Sequence, residues 1–274
     1  MPKYLTLILT SALMLTACST DIQTTSGSDY LSQYENVPMA PSRQVTSPDG
    51  KNTVEVKSID QIVREVAAVE PVLKFPARIG LARIDGGSLT NLTQDDANAW
   101  KEMQNKLGSS FGEFIAINPL VAKMVQGYVN DRGYGYRVQS VIDNIRLAAA
   151  RQHLDAVLIY EVMSKENRST NILAVANMSI IGGYILPSKS AEVEGLGNAI
   201  LIDVIQGYPY GTMHTIVDKQ SRLSSSWGWG SDSADRERFA NAIKSQAAQQ
   251  LADQSYDMFI KLQAALAEKS KEKQ

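Results

Sequence analysis

The chain has 274 residues, with 27 Lys and Arg against 29 Asp and Glu and a formal net charge of −2 at pH 7. These charges are spread without a basic block, so we expect no nucleic-acid partner. The single cysteine, Cys18, excludes an internal disulfide, and neither of the two histidines has a second ligand at metal-binding spacing. We therefore predict no metal and no other cofactor.

The first residues have the pattern of a bacterial lipoprotein signal peptide over residues 1–17. Lys3 precedes an apolar run from Tyr4 to Leu15, which is shorter than the ~20 apolar residues that a bilayer-spanning helix needs. A Leu-Thr-Ala-Cys sequence then ends at Cys18. It predicts cleavage after Ala17 and acylation of Cys18, which would anchor the protein in the membrane. The alternative is an ordinary secretory signal with an incidental cysteine.

The residue that follows the cysteine bears on localisation. It is Ser19 rather than an aspartate, and in enteric-type bacteria an aspartate there would retain a lipoprotein in the inner membrane. We therefore expect a periplasm-facing protein that is anchored in the outer membrane by its lipid.

Two segments precede the predicted domain. Residues 18–53 are rich in Ser, Thr, Gln, Asp and Pro and have almost no apolar periodicity, which is typical of a flexible tether. Residues 54–76 form a short lead-in. In it, the spacing of Ile59, Ile62, Val63 and Val66 predicts an amphipathic helix that ends before Pro71.

Residues 77–230 alternate between strand and helix patterns and predict an α/β domain. Alternating apolar residues indicate a strand over 77–84, and Thr93 and Gly108 are a suitable cap and stop for a helix over 95–107. The further predicted strands cover 114–117, 155–162, 171–186, 199–205 and 213–217, and the further helices begin at Pro119 and cover 138–149.

A long helix is predicted over 234–268, within a C-terminal segment of residues 231–274 that ends in a Lys-rich tail. One stripe carries its apolar residues Phe239, Ile243, Ala247, Leu251, Met258, Leu262 and Leu266. The fold class is therefore α/β (α+β), a mixed sheet flanked by helices with a long C-terminal helix.

The sequence offers little catalytic chemistry, and we predict that the protein is not an enzyme. His153 and His214 are the only histidines, no Gly-x-Ser-x-Gly precedes a helix, and Gly182-Gly183 lacks the lysine and hydroxyl of a phosphate loop.

Aromatic residues in Gly-rich loops provide the candidate contact surface for a partner, because they supply contact area at low entropy cost. They are Tyr208, Tyr210, Trp227 and Trp229. The alternative is that the two tryptophans cap the edge of the sheet.

Three segments resemble envelope lipoproteins with a TolB amino-terminal-like domain. Residues 148–160 place an alanine-rich helix, Asp155 and an apolar strand in succession, and residues 199–208 place Asp203 and Gly207 after an apolar strand. Residues 181–187, Ile-Gly-Gly-Tyr-Ile-Leu-Pro, are similar to the rhombotarget lipoprotein family within this group. The resemblance implies a fold and no catalytic residue. The Lys-rich end departs from the pattern, because it lacks a Gly-Gly, an apolar helix and a basic tail.

We therefore expect a lipid-anchored, non-enzymatic envelope protein that binds a protein partner, as an assembly factor or a regulator of an envelope machine. One alternative is a homo-oligomeric ring or channel that resembles the curli-secretion lipoprotein, for which residues 171–186 are the only candidate barrel hairpin. A second alternative is an envelope hydrolase that uses a serine and His214.

Overall fold

A mixed seven-stranded sheet is the centre of the part of the chain that the structure describes. The computed structural model describes residues 19–47, 51, 53–131, 141–164, 195–217 and 233–272. The strands of the sheet are β1 (Ser19–Ile22), β4 (Ala77–Asp85), β5 (Ser88–Thr90), β6 (Gly112–Ala116), β7 (Ala156–Ser164), β8 (Gly195–Asp203) and β9 (Pro209–Val217). A separate two-stranded hairpin is formed by β2 (Arg43–Thr46) and β3 (Thr53–Val56).

The strand order is β1-β9-β8-β7-β4-β5, and β6 also pairs with β4. β4 is parallel to both β6 and β7, whereas the remaining pairs of this sheet are antiparallel. The predicted strands from 77, 114, 155, 199 and 213 are thereby confirmed. The predicted strand over 171–186 lies outside the described residues.

Six helices surround these strands in the described ranges. They are α1 (Gly27–Ser32), α2 (Ile59–Ala67), α3 (Gln94–Leu107), α4 (Pro119–Asp131), α5 (Val141–Arg151) and α6 (Ser233–Glu272). As predicted, α3 begins where the Thr93 hydroxyl accepts a hydrogen bond from the Asp96 N–H at 3.2 Å, and it ends at Gly108, whose φ is +79°. In the described part of the chain no helix combines the length and the apolar composition that a membrane span requires.

The sheet buries a separate core on each face. On one face α3 and α6 pack on the strands, with Trp100, Leu251 and Phe259 fully buried. On the other face α4 and α5 cover Ile159 and Val157, with Ile145 at the centre. The predicted α/β fold class, with a mixed sheet and a long C-terminal helix, is therefore confirmed.

The prediction of a flexible tether over residues 18–53 is wrong for residues 19–47, which the structure describes. β1 pairs with β9 from Ser19 opposite His214 to Ile22 opposite Gly211, and α1 and the β2–β3 hairpin follow within the same segment. The reason is that β1 is an edge strand, which gains backbone hydrogen bonds from the sheet while its side chains stay largely exposed. Such a strand needs no apolar pattern.

Candidate functional site

Tyr208 and Tyr210 do not form the contact surface that the sequence predicted. Both are buried, at 5% and 0% exposure. The Tyr210 hydroxyl accepts hydrogen bonds from the N–H groups of Val72 and Leu73 at 3.0 and 2.7 Å, and the Tyr208 hydroxyl donates to the Thr25 carbonyl at 2.7 Å. Burial raises the pKa of each to about 12. These tyrosines fasten the N-terminal segment to the sheet.

The turn before Tyr208 explains why the prediction failed. One oxygen of the Asp203 carboxylate accepts hydrogen bonds from the N–H groups of Ile205 and Gln206 at 2.8 and 2.7 Å, and Gly207 takes a φ of +75°. This short turn folds Tyr208 back onto the sheet instead of exposing it. Trp227 and Trp229 lie outside the described residues, as do Ala17 and Cys18.

A buried ion pair lies near the carboxyl end of the parallel strands β4 and β7. Arg83 contacts Asp96 at 3.1 Å, with side-chain exposures of 7% and 2%. The Tyr160 hydroxyl donates to the same Asp96 oxygen at 2.8 Å, and the Tyr160 ring contacts Trp100 in a tilted arrangement with centroids 5.1 Å apart. Burial and the Asp96 carboxylate both raise the pKa of Tyr160. The cluster joins β4, β7 and α3 inside the core.

A row of polar side chains crosses the sheet on the face opposite to Tyr160. Glu161, Asn198 and His214 are neighbours in register on β7, β8 and β9, and each is at most 2% exposed. The His214 Nδ1 lies 3.1 Å from the Asn198 Oδ1, and burial lowers the pKa of His214. The Nε2 of His214 has no hydrogen-bond partner among the described residues.

Among the residues that the structure describes, no serine hydroxyl contacts His214. An activated serine requires a hydroxyl in hydrogen-bond contact with the histidine, and a carboxylate usually orients the ring from its other nitrogen. The described partner of His214 is an amide, on Asn198. Across the described ranges, no three His, Cys, Asp or Glu residues are grouped where they could hold a metal ion.

The candidate functional surface is the exposed face of α2. Its four large apolar side chains recur at helical spacing and form one stripe, yet they are among the most exposed in the molecule. They are Ile59, Ile62, Val63 and Val66, at 69%, 44%, 56% and 70% exposure. We call these four residues the α2 stripe.

The polar face of α2 makes the contacts that orient the helix. Asp60 accepts a hydrogen bond from the Ala40 N–H at 2.9 Å, and Arg64 donates to the carbonyl oxygens of Tyr34 and Val37 at 3.2 and 3.0 Å. These contacts hold residues 34–40 against the side that an amphipathic helix normally turns to water. The apolar side consequently faces outward.

A close backbone contact fixes the carboxyl end of α2. Gly27, in the first turn of α1, lies so near α2 that a Cβ built there would be 2.4 Å from the Ala67 carbonyl oxygen. At the amino end, Ser58 and Gln61 form a reciprocal capping box. The helix is therefore held at both ends and along its polar side, while its stripe has no covering element in the described structure.

The sequence correctly predicted an amphipathic helix at this position but not the direction of its apolar face. Periodicity reports that one face is apolar, and normally that face is the buried one. The unusual orientation depends on hydrogen bonds to residues 34–40, which the prediction assigned to a tether. An exposed apolar stripe on a well-held helix is therefore the candidate binding surface.

Comparisons with protein-family models, with curated proteins and with solved structures find no match for this chain. The resemblance to TolB amino-terminal-like and rhombotarget lipoproteins therefore stays a prediction.

Proposed function

We propose that the protein is a lipid-anchored envelope lipoprotein that binds a protein partner without catalysing a reaction, as an assembly factor or a regulator of an envelope machine. The α2 stripe is the contact surface, in place of the tyrosines predicted from the sequence. The observation that carries the proposal is the orientation of α2, whose polar side is held by the chain while Ile59, Ile62, Val63 and Val66 face outward. Leaving such a stripe exposed costs free energy unless another surface covers it.

The position of α2 favours a protein over the bilayer as the covering surface. Ser19, which follows the predicted lipid site, lies beside His214, whereas Gln23 has already reached the level of Tyr210. Gly27 and the carboxyl end of α2 come after this point. The chain thus runs about 13 Å along β9 away from the anchor before it meets α2.

The charge around α2 supports the same choice. Between residues 19 and 76 acidic side chains outnumber basic ones, and Asp60 and Glu65 lie on the helix itself. Membrane-surface helices typically carry Lys and Arg on their polar face, because these attract anionic lipids. We therefore commit to a protein with an apolar groove or patch as the occupant.

Photo-crosslinking in intact cells tests this contact. A photoreactive residue at Val63 is expected to give a discrete adduct with a foreign protein, identified by mass spectrometry. Glu65 supplies the matched control, because it lies on the polar side of the same helix and its side chain is 56% exposed, as Val63 is. Equal adducts from both positions, or none from Val63, would contradict the α2 contact.

The same experiment separates the alternatives. Adducts of Val63 with a second copy of this chain would replace the foreign partner by a homo-oligomer and favour the ring or channel.

Lipid anchoring is tested by a separate experiment. Cys18→Ala should abolish acylation, which is detected by intact mass and by incorporation of a labelled fatty acid. An unmodified Cys18 in the wild-type protein would overturn the anchor.

A further inference from the structure

The connection between the predicted lipid site and the folded sheet contains no spacer. The first described residue, Ser19, is already paired in β1, opposite His214. Consecutive Cα atoms are about 3.8 Å apart, so an acyl-carrying Cys18 would lie next to the sheet. A flexible segment of 35 residues, as the sequence predicted, would instead have a root-mean-square reach of about 30 Å.

Residues beyond β1 fasten this segment to the domain. The Gln23 N–H donates to the Tyr210 carbonyl at 2.8 Å, and the Lys269 ammonium on α6 donates to the Thr24 carbonyl at 2.5 Å. Ser26 is 1% exposed. The chain that follows β1 is therefore held both by β9, through Tyr210, and by α6, through Lys269.

The direction of β1 determines which part of the domain is nearest to the lipid. β1 is antiparallel to β9, so its first residue, Ser19, lies toward the carboxyl end of β9. Asp21 is exposed on this edge strand. A carboxylate there opposes an arrangement in which the whole edge lies flat on a bilayer.

From this geometry we infer that the protein is held close to the membrane in a fixed sense, with the carboxyl end of β9 nearer to the lipid than the Gln206 turn, and with α2 toward the far end. The inference rests on the proposed acylation of Cys18. Its consequence is that the partner must come to the membrane surface, because the α2 stripe is held within roughly one sheet length of the bilayer. The nine residues of β9 span about 26 Å.

Site-directed spin labelling tests this arrangement in the full-length acylated protein. Acylation occupies the only cysteine of the chain, so an introduced cysteine can be labelled selectively. One nitroxide is placed at Ile216→Cys, near the carboxyl end of β9, and the other at Gln206→Cys, in the exposed turn before β9. Each protein is reconstituted into phosphatidylcholine vesicles that contain gadolinium-chelating headgroups.

The label at residue 216 is expected to relax at least severalfold faster than the label at 206, because paramagnetic relaxation falls steeply with distance. Ser164→Cys, at the carboxyl end of β7, replaces the first position if Ile216→Cys does not fold. Equal relaxation of the two labels, or faster relaxation at 206, would overturn the inferred orientation.

A spacer variant tests whether the short connection between Cys18 and β1 causes this orientation. A 16-residue Ser/Gly segment inserted after Cys18, beginning with serine, should remove most of the difference between the two labels. A difference that persists unchanged would overturn the claim that the short connection orients the domain. Intact mass is measured before reconstitution, and the absence of the acyl mass would overturn the anchor itself. Failure of the α2 crosslink leaves this orientation unaffected, so the two proposals are separable.

Discussion

Two amphipathic helices of this protein are oriented in opposite ways. α6 turns its apolar stripe to the sheet, and Ile243, Leu251 and Phe259 are at most 3% exposed. α2 turns its polar side to the chain, and Ile59 and Val66 are about 70% exposed. Amphipathic spacing thus predicted both helices equally well, but the expectation that the apolar face is buried holds for α6 and fails for α2.

The difference lies in what each helix packs against. α6 lies on a broad apolar sheet face, where burial of its stripe contributes several kcal/mol. α2 contacts a short irregular segment whose carbonyl and N–H groups require hydrogen-bond partners, and Asp60 and Arg64 provide them. In the proposed function, a surface from outside the chain covers the apolar side of this helix.

The largest expected effect is on α6. Phe259→Ala removes a ring that is 0% exposed and contacts Phe75 and Phe114 edge to face. It should lower the free energy of unfolding by about 3–5 kcal/mol, measured by urea denaturation. Ile260→Ala, at the neighbouring and 42% exposed position, is the matched control and should cost less than about 1 kcal/mol. Similar losses for both variants would break the contrast between the helices.

The next effect concerns the attachment of α2. Gly27→Ala places a Cβ 2.4 Å from backbone atoms of Ala67 and Ala68, which forces α1 and α2 apart at a cost of about 1–3 kcal/mol. Amide hydrogen exchange should accelerate in α2 while the β7 and β8 amides keep their protection. Unchanged protection of α2 would show that this contact does not hold the helix.

A smaller effect is expected from His214, a buried polar residue of β9. Because burial lowers the pKa of His214, the unfolded chain takes up a proton before the folded protein as pH falls below about 6.5. Stability should therefore decrease from neutral to mildly acidic pH, with a slope of at most about 1.4 kcal/mol per pH unit from this group. His214→Gln should flatten the difference in denaturation midpoint between pH 7.5 and 5.5. An identical pH slope in both proteins would contradict the assignment.

The smallest effect on stability is expected on the α2 stripe. Val63→Asp changes a 56% exposed side chain and should alter the free energy of unfolding by no more than about 0.5 kcal/mol. With the photoreactive residue moved to Ile59, which is 69% exposed, it should nevertheless abolish recovery of the crosslinked partner from cells in the proposed function. Glu65→Gln, on the polar side, should preserve that recovery. A loss of stability of several kcal/mol in Val63→Asp would mean that the stripe is part of the fold.

Local signals were sufficient for much of the fold. The alternation over residues 77–84, the Thr93 cap, the Gly108 stop and the long apolar stripe of the C-terminal helix each report a short-range preference that the tertiary structure retains. The order of the strands and the pairing of β1 with β9 involve residues about 190 positions apart, and no local pattern encodes them.

The candidate site was predicted only in part, for a similar reason. Tyr208 and Tyr210 lie in a sequence that is typical of a surface loop. Inside the fold, however, the Tyr210 hydroxyl is hydrogen-bonded to the N–H groups of Val72 and Leu73. The Tyr208 hydroxyl is hydrogen-bonded to the Thr25 carbonyl. The α2 helix was predicted from its spacing. Its outward stripe was not, because the polar groups that orient it belong to a segment without periodicity.

The amino-acid order alone therefore suffices for the element types, the α/β class and the presence of an amphipathic helix at residues 59–67, because these depend on neighbours within a few positions. Packing decides the rest. Which face of α2 is buried, whether Ser19 begins a tether or a strand, and whether the two tyrosines are exposed all depend on partners far along the chain, whose hydrogen-bonding groups must be satisfied once they are removed from water.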